Sequence, residues 1–458
     1  MLAHVFSAHH AAFLGLVGSL LLSCALALPN GLGVTPPMGY NTWNDFRCND
    51  ISASNVKKVA DAMAANGLAR AGYRYLNIDD CWAVRREPET MRIVADPAAF
   101  PEGIKPVADY VHGKGLLFGI YTDRGNATCA GRPGSRGFEG LDAATYASWG
   151  VDYLKEDSCW ADSGHQDVAF ADYARMRDAL NATGRPIYFS LCGWYPWYSS
   201  VGNTLGNSWR IWGDVNGWGS VYTAAQVNAK LFPNAGPGGW NDPDMLVGSS
   251  PHAAVYNSPE QSRTQFSLWA AMSAPLLIGS NVLNMSTWDL ETYTNAEMIA
   301  VNQDALGKQA AIVHDTCPKL KLSSIKPRHS VDFNPKRPSD ELDADVPECE
   351  QVWAKPMSDG SVVLVLVNWN GSARNVTCAS SCLRSAGIDA SHVLAYDLWE
   401  HRKLGVFSSV VAQLGANGAS ASIRVKAASS SSSSASSSLA SLRQNRRAAA
   451  GMDTVSLS

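Results

Sequence analysis

Short apolar runs alternate with stretches of helical spacing from about Gly33 to Asn302. The first run is Met38 to Trp43. Ser54 to Ala69 follows, with Val56, Val59, Ala60, Met63 and Leu68 on one side of a helix. Tyr75 to Asp80 is the second run, then a helix over Ile104 to His112. Leu116 to Tyr121 is the third, followed by a short helix over Ala143 to Ser148. The fourth begins at Val151 and ends in Lys155-Glu156-Asp157. A helix over Val168 to Leu180 leads to the fifth, Pro186 to Leu191, and Trp209 to Asp214 is the sixth. The Gly-rich segment Gly236 to Met245 holds the seventh. After a helix over Ser262 to Met272, Pro275 to Gly279 is the eighth. Eight strands alternating with helices predict a (β/α)8 TIM barrel over residues 28–306, an α/β fold. An open doubly wound sheet competes, but no Gly-rich phosphate loop follows the first strand.

Past Gln303 the pattern changes. Val352 to Lys355, Ser361 to Trp369 and Val393 to Trp399 alternate or run apolar, with Ser358-Asp359-Gly360 as a turn. A small C-terminal antiparallel β-sandwich domain is expected over 307–425, with a polar, disordered insert at about 319–347 and a Ser-rich disordered tail over 426–458. Residues 1–27 read as a secretory signal peptide: Phe13 to Leu26 is apolar and Ala25-Leu26-Ala27 is a cleavage signal. No later segment is long and apolar enough to span a membrane.

Composition narrows the classes. A hydrophobic fraction of 46% with 17% charged residues suits a globular protein with a large core, and a net charge of −4 gives no case for nucleic acid. Ten cysteines fit an oxidising compartment. Cys24 leaves with the signal, so one of the remaining nine is unpaired. Sequons at Asn126, Asn181, Asn284, Asn370 and Asn375 agree with secretion.

Carboxylates fall at strand ends. Asp79 and Asp80 end the second strand, Asp157 the fourth and Asp214 the sixth, all expected in one mouth of the barrel, where catalytic groups sit. Cleaving a glycosidic bond needs two carboxyl groups across the scissile carbon. Asp157 is the candidate nucleophile, against the plainer reading of a solvated strand end. Lys155, two residues earlier, points to the same side and favours the ionised carboxylate. Asp214 is the candidate acid/base. Arg210, four residues earlier, opposes that role if it is close, an objection that lapses if Arg210 mainly holds a substrate hydroxyl. Asp79-Asp80 is costly as a like-charge pair unless donors such as sugar hydroxyls surround it. An ion pair or metal site is the plainer reading, though hard-cation loop spacing is lacking. Trp43 is placed to stack on a sugar ring or to fill the core. Cys48, Cys81, Cys129 and Cys159 sit on loops at this same end, with pairing undetermined by spacing. A cysteine nucleophile lacks its His/Asn partners, and a serine one its G-x-S-x-G elbow.

Pro37-Met38-Gly39-Tyr40-Asn41-Thr42-Trp43, Ile78-Asp79-Asp80-Cys81-Trp82, Gly119-Ile120-Tyr121, Lys155-Glu156-Asp157, Gly236 through Leu246, and Asn302-Gln303-Asp304 together resemble glycoside hydrolase family 27, the secreted α-galactosidases. The resemblance implies a retaining exo-acting hydrolase of terminal α-galactosides that needs no cofactor or metal. It puts the nucleophile at Asp157 and the acid/base at Asp214, with galactose contacts at Trp43, Asp79, Asp80, Tyr121, Lys155, Arg210 and the Cys129 loop. It also implies disulfides Cys48–Cys81, Cys129–Cys159 and Cys378–Cys382, leaving Cys192 as the odd thiol if Cys317 pairs with Cys349. The destination is the secretory pathway: outside the cell, vacuole or lysosome.

Cys192-Gly193-Trp194 departs from the family. Many members carry Cys-Glu-Trp there, the Glu touching the sugar's 2-position, a hydrogen bond Gly193 cannot make. A small residue there admits a 2-acetamido group, as in the related α-N-acetylgalactosaminidases, whereas Trp194, Tyr195, Trp197 and Tyr198 are bulky enough to refill the space. The intact Asp79-Asp80 favours galactose over β-L-arabinopyranose. A catalytically inactive galactose-binding protein is the alternative from another class, against which the intact Asp157 and Asp214 stand.

Overall fold

Apolar runs this short form a sheet only by pairing side by side, and in the computed structural model eight of them do so in parallel. The structure describes residues 30–162, 164–251, 255–321, 346–428 and 442–443. The strands are β1 (Met38–Asn41), β2 (Tyr75–Asn77), β3 (Leu117–Asp123), β4 (Tyr153–Asp157), β5 (Tyr188–Leu191), β6 (Ser208–Arg210), β7 (Trp240–Asp242) and β8 (Leu276–Ile278). Their order is β8-β1-β2-β3-β4-β5-β6-β7. Leu246, just past β7, closes the ring by a parallel bridge to Ile278. Its N–H donates to the Leu277 carbonyl at 2.8 Å and its carbonyl accepts from the Gly279 N–H at 2.8 Å.

The helices follow their apolar faces. Ala53–Ala65 buries Val56, Val59, Ala60 and Met63, and its N-cap Ser52 accepts from the Asn55 N–H at 3.2 Å. The helix expected to run on to Ala69 instead breaks at Gly67, whose φ of 101° is open to glycine, and resumes as Leu68–Ala71. Between β2 and β3 lies an unanticipated hairpin, Ala83–Arg86 with Ile93–Ala95. Alternation splits β4 between two layers. Tyr153 packs in the lumen with Tyr188, Met245 and Leu277, whereas Leu154 joins the layer between sheet and helices. Tyr153 and Tyr188 stack 4.9 Å apart.

Several strands are shorter than their apolar runs, which moves site residues onto loops. β2 stops at Asn77, two residues before Asp79. β6 stops at Arg210, so Asp214 lies on the loop before helix Trp218–Ala229 and is not the end of the sixth strand. Trp43 opens a one-turn helix, Trp43–Phe46.

C-terminal to the barrel, β9 (Ala311–Asp315), β10 (Glu350–Pro356), β11 (Val362–Asn368), β12 (Arg374–Cys378), β13 (Val393–Asp397), β14 (Arg402–Phe407), β15 (Val410–Leu414) and β16 (Ala419–Ala427) are antiparallel. Six form the sheet β9-β10-β11-β16-β13-β14, and β12 pairs with β15. β11 is apolar from Val362 to Val367 because both its faces are covered. Val363, Val365 and Val367 join the barrel-side core, while Val362, Leu364 and Leu366 pack with Val376, Ala412 and Leu414 of the second sheet.

Among the described residues there are four disulfides: Cys48–Cys81, Cys129–Cys159, Cys317–Cys349 and Cys378–Cys382. Cys192 is the free thiol among the described residues, and it is buried. The sequon residues Asn126, Asn181, Asn284 and Asn375 are exposed. Asn370 is not: it is buried and its amide donates to the Cys349 carbonyl at 2.9 Å, which removes it as an acceptor in the folded chain. The segment expected to be a signal peptide, most of the 319–347 insert and most of the tail lie outside the described residues. Among the described residues no helix is long and apolar enough to cross a membrane.

Candidate active site

β4 delivers three side chains to the lumen face in sequence, Tyr153, Lys155 and Asp157, by the period-two alternation of a strand. Asp157 is buried. Its Oδ2 accepts from the Tyr121 hydroxyl at 3.1 Å and its Oδ1 from the Ser158 N–H at 2.9 Å. Burial pushes Asp157 up to about 6, against the pull of Lys155 and with the push of Asp214 and Asp79. The loop behind it is braced by Arg124, whose Nε donates to Ser158 Oγ at 2.9 Å and whose Nη1 pairs with Asp172 at 2.7 Å.

Lys155 Nζ donates to Asp79 Oδ2 at 2.8 Å and lies 5.1 Å from the centre of the Tyr121 ring. Burial opposes its charge, but Asp79, with help from Cys192 and Asp157, holds its pKa well above the ordinary value. Asp79 also accepts from Asn41 Nδ2 at 2.8 Å. Asp80 accepts from the Cys81 and Ala130 N–H groups at 2.7 and 2.8 Å. Burial raises the Asp80 pKa, with Asp79 adding to it and those donors opposing. Asp79 and Asp80 therefore face apart, one into the lysine and one into the Cys129 loop.

Asp214 stands at the open side. Its side chain is 47% exposed and accepts from Arg210 Nη2 at 2.9 Å. The sequence-based objection to an acid role holds: Arg210 is in contact. That guanidinium is shared, however, since Nη1 pairs with Asp244 at 2.8 Å. Trp43 is half-buried and packs onto the lumen cluster of Tyr153, Tyr188, Met245 and Leu277, so it serves as a wall of the mouth as well as part of the core. Tyr121 also reaches Cys129 Sγ at 3.2 Å. All nine residues singled out from the sequence thus lie at the C-terminal end of the barrel strands.

Three carboxylates here escaped the sequence reading. Asp123 faces Asp157 across the β3–β4 pairing and accepts from the Gly125 and Cys159 N–H groups, each at 2.7 Å. Burial, then the Asp157 charge, push it up to about 8. Asp242 ends β7, and Asp244 is pushed up to about 6 by burial against the pull of Arg210. The same strand-end pattern that marked Asp157 marks Asp123 and Asp242. Cys192, expected only as the odd thiol, lies 3.8 Å from Arg210 Nη1. Glu156, on the opposite face of β4, is buried with neither carboxyl oxygen hydrogen-bonded, and burial raises its pKa well above normal. One ligand atom each from Asp123, Cys129, Asp157 and Cys159 lies within 4.8 Å of the others, but the disulfide withdraws both thiolates as metal ligands.

Position 193 is resolved by packing. A Cβ on Gly193 would stand 1.9 Å from Cε2 of Tyr198, a fully buried ring. The room vacated by a side chain at 193 is already occupied by Tyr198.

A family model described as Alpha galactosidase A matches residues 35–304. The chain belongs to that family. A model of the α-galactosidase C-terminal β-sandwich domain matches residues 348–424. The chain is similar to the α-galactosidase of Cyamopsis tetragonoloba, 42% identical over 388 residues that cover 83% of this chain and 84% of the relative. To α-galactosidase A of Cellvibrio japonicus it is 46% identical over 316 residues, 65% of this chain and 75% of the relative. The structure of the Saccharomyces cerevisiae α-galactosidase with raffinose aligns at a TM-score of 0.75 and 28% identity, covering 87% of this chain and 99% of that one. α-Galactosidase I of Mortierella vinacea aligns at 0.74 and 32% identity, covering 87% and 99%. This member of the family is a glycoside hydrolase.

Proposed function

We infer that this chain is a retaining exo-α-galactosidase that removes terminal α-D-galactosyl residues from oligosaccharides or glycoconjugates. One observation carries the reading: a buried Asp157 and a solvent-open Asp214, close enough to influence each other electrostatically, share one barrel mouth with the Asp79–Lys155 pair. Asp157 attacks the anomeric carbon, the Tyr121 hydroxyl and Ser158 N–H aiming its oxygens. Asp214 protonates the departing glycosidic oxygen, then takes a proton from the water that releases galactose with its α configuration. The Asp214 role requires it to leave Arg210 as substrate binds, which its half-exposed loop position between Gly213 and Gly217 allows. Asp79, Asp80 and Lys155 hold sugar hydroxyls, and Trp43, Arg210 and the Cys129 loop bound the ring.

The yeast relative with raffinose supports an α-galactoside as substrate. Tyr198 in the space beside Gly193 speaks against the 2-acetamido sugar, so an aryl α-galactoside should turn over faster than an aryl α-N-acetylgalactosaminide. The four disulfides suit a chain that enters the secretory pathway and ends outside the cell, in a vacuole or in a lysosome. Proton NMR of a terminal α-galactoside digest tests the stereochemistry. First-formed α-galactose is expected, and first-formed β-galactose would falsify the retaining mechanism.

A further inference from the structure

The chain has fifteen tryptophans, all among the described residues, and Trp160 alone is exposed, at 56%. A core that takes in the other fourteen wholly or partly leaves this ring in water, although burying an indole is among the most stabilising things a fold can do. Its place is specific. Trp160 follows Cys159, whose Sγ lies within 4.8 Å of an Asp157 carboxylate oxygen, and its Cα is one peptide step, about 3.8 Å, from that of Cys159.

The backbone beneath the ring is anchored. The Cys159 N–H donates to Asp123 at 2.7 Å and Cys159 is bonded to Cys129. A Cβ on Gly125 would stand 2.3 Å from the Trp160 carbonyl oxygen, so the loops after β3 and β4 touch there and only glycine fits. The neighbouring rim is polar, with Asp162 and His165 paired at 2.7 Å. A single indole on a fixed base amid polar groups suits the apolar face of a sugar better than an apolar protein surface.

Resting on the α-galactosidase reading above, we propose that Trp160 is the stacking platform for the second sugar ring of the substrate, the one attached through the scissile oxygen. The galactose fills the mouth around Asp79 and Lys155, and the next ring lies outward, where β4 has delivered Trp160 three residues past Asp157. The enzyme is thereby tuned to galactose carried on another sugar and not to galactose on a small leaving group.

Trp160→Ala and Trp160→Phe, assayed on raffinose and on α-galactosyl fluoride, which has no second ring, test this. The alanine variant should lose about five- to tenfold in kcat/KM on raffinose and keep wild-type turnover of the fluoride, while phenylalanine restores most of the loss. Equal losses on both substrates, or none on raffinose, overturn the proposal. If the wild-type chain releases galactose from neither substrate, the parent reading fails by itself, and acrylamide quenching of the Asp157→Ala chain then decides. Raffinose should shield the exposed indole where free galactose does not, with no such difference once Trp160 is replaced. Absence of that shielding overturns the platform.

Discussion

Lys155 in the barrel mouth is largely buried and Lys355 at the seam between barrel and sandwich fully so, and their surroundings drive them in opposite directions. Lys155 donates to Asp79 at 2.8 Å and has Asp157 nearby, so despite burial it stays charged well beyond the ordinary range. Lys355, on β10, is completely buried. It donates to Ser273 Oγ and to the Lys308 carbonyl at 2.8 Å, and burial lowers it to about 7, with only Asp304 pulling the other way. Burial is common to both. An ionised partner in direct contact decides whether the charge survives it. The mouth is therefore a network of paired charges that an anionic nucleophile and polar hydroxyls can enter, whereas the seam holds its lysine with uncharged acceptors.

The largest expected effect breaks the mouth at its centre. Asp157→Ala should lower kcat on a terminal α-galactoside by more than about 10⁴-fold, while near-normal turnover would remove the nucleophile assignment. Lys155→Met comes next. It should lower kcat/KM by roughly 10²–10³-fold and destabilise the fold by about 3–5 kcal/mol, because Asp79 is left as an uncompensated buried charge. It should also move the acid limb of kcat/KM, expected near pH 6 from Asp157, to higher pH. The lysine holds the Asp157 carboxyl down, so its loss lets the proton bind more tightly. An acid limb that stays in place would separate Lys155 from Asp157 electrostatically.

The mouth was more legible in the sequence than the seam. Lys155 and Asp157 share a face by strand alternation, and charges crowding a strand end are visible in the letters. Asp123 was lost because β3 runs two residues past Tyr121, where the apolar run gives out in Thr122-Asp123. Asp214 was assigned to a strand that in fact ends at Arg210, because Ile211 and Trp212 continue the apolar run without continuing the ladder. The sequence offers four bulky residues to refill the space beside Gly193, Tyr198 among them, but that Tyr198 is the one in place is a contact across a loop that no local pattern encodes. The seam leaves fainter traces still. In β10, Trp353 and Lys355 share a face by alternation, and both are fully buried. A strand with one lysine on a face reads as solvent-facing there until a second body covers it. Gln226 and Gln351 face each other across this seam at 2.9 Å, and they lie 125 residues apart in sequence.

Lys355 gives the smallest effect and the sharpest contrast. Folded, it releases its proton near pH 7, while in the unfolded chain it holds it to about 10.4. Between those values the unfolded chain binds more protons, so raising the pH favours the folded state. Stability should climb by up to a few kcal/mol from pH 7 to 10 on this account, and stay flat in this term below 7. Lys355→Met removes the climb. It leaves the Lys308 carbonyl without its donor, a loss of about 1–3 kcal/mol, but it also removes the cost of stripping an ammonium of water, so at pH 7 the variant should be as stable as the parent or more so. Activity should be unchanged, since no site residue touches Lys355. Urea midpoints of both chains at pH 7 and 9.5 measure the difference, and curves that run parallel would mean that Lys355 is charged at the seam, contrary to the contrast with Lys155. The opposite response is expected of Lys155, whose stabilising charge persists through this whole range and fades only above the pKa of a free lysine.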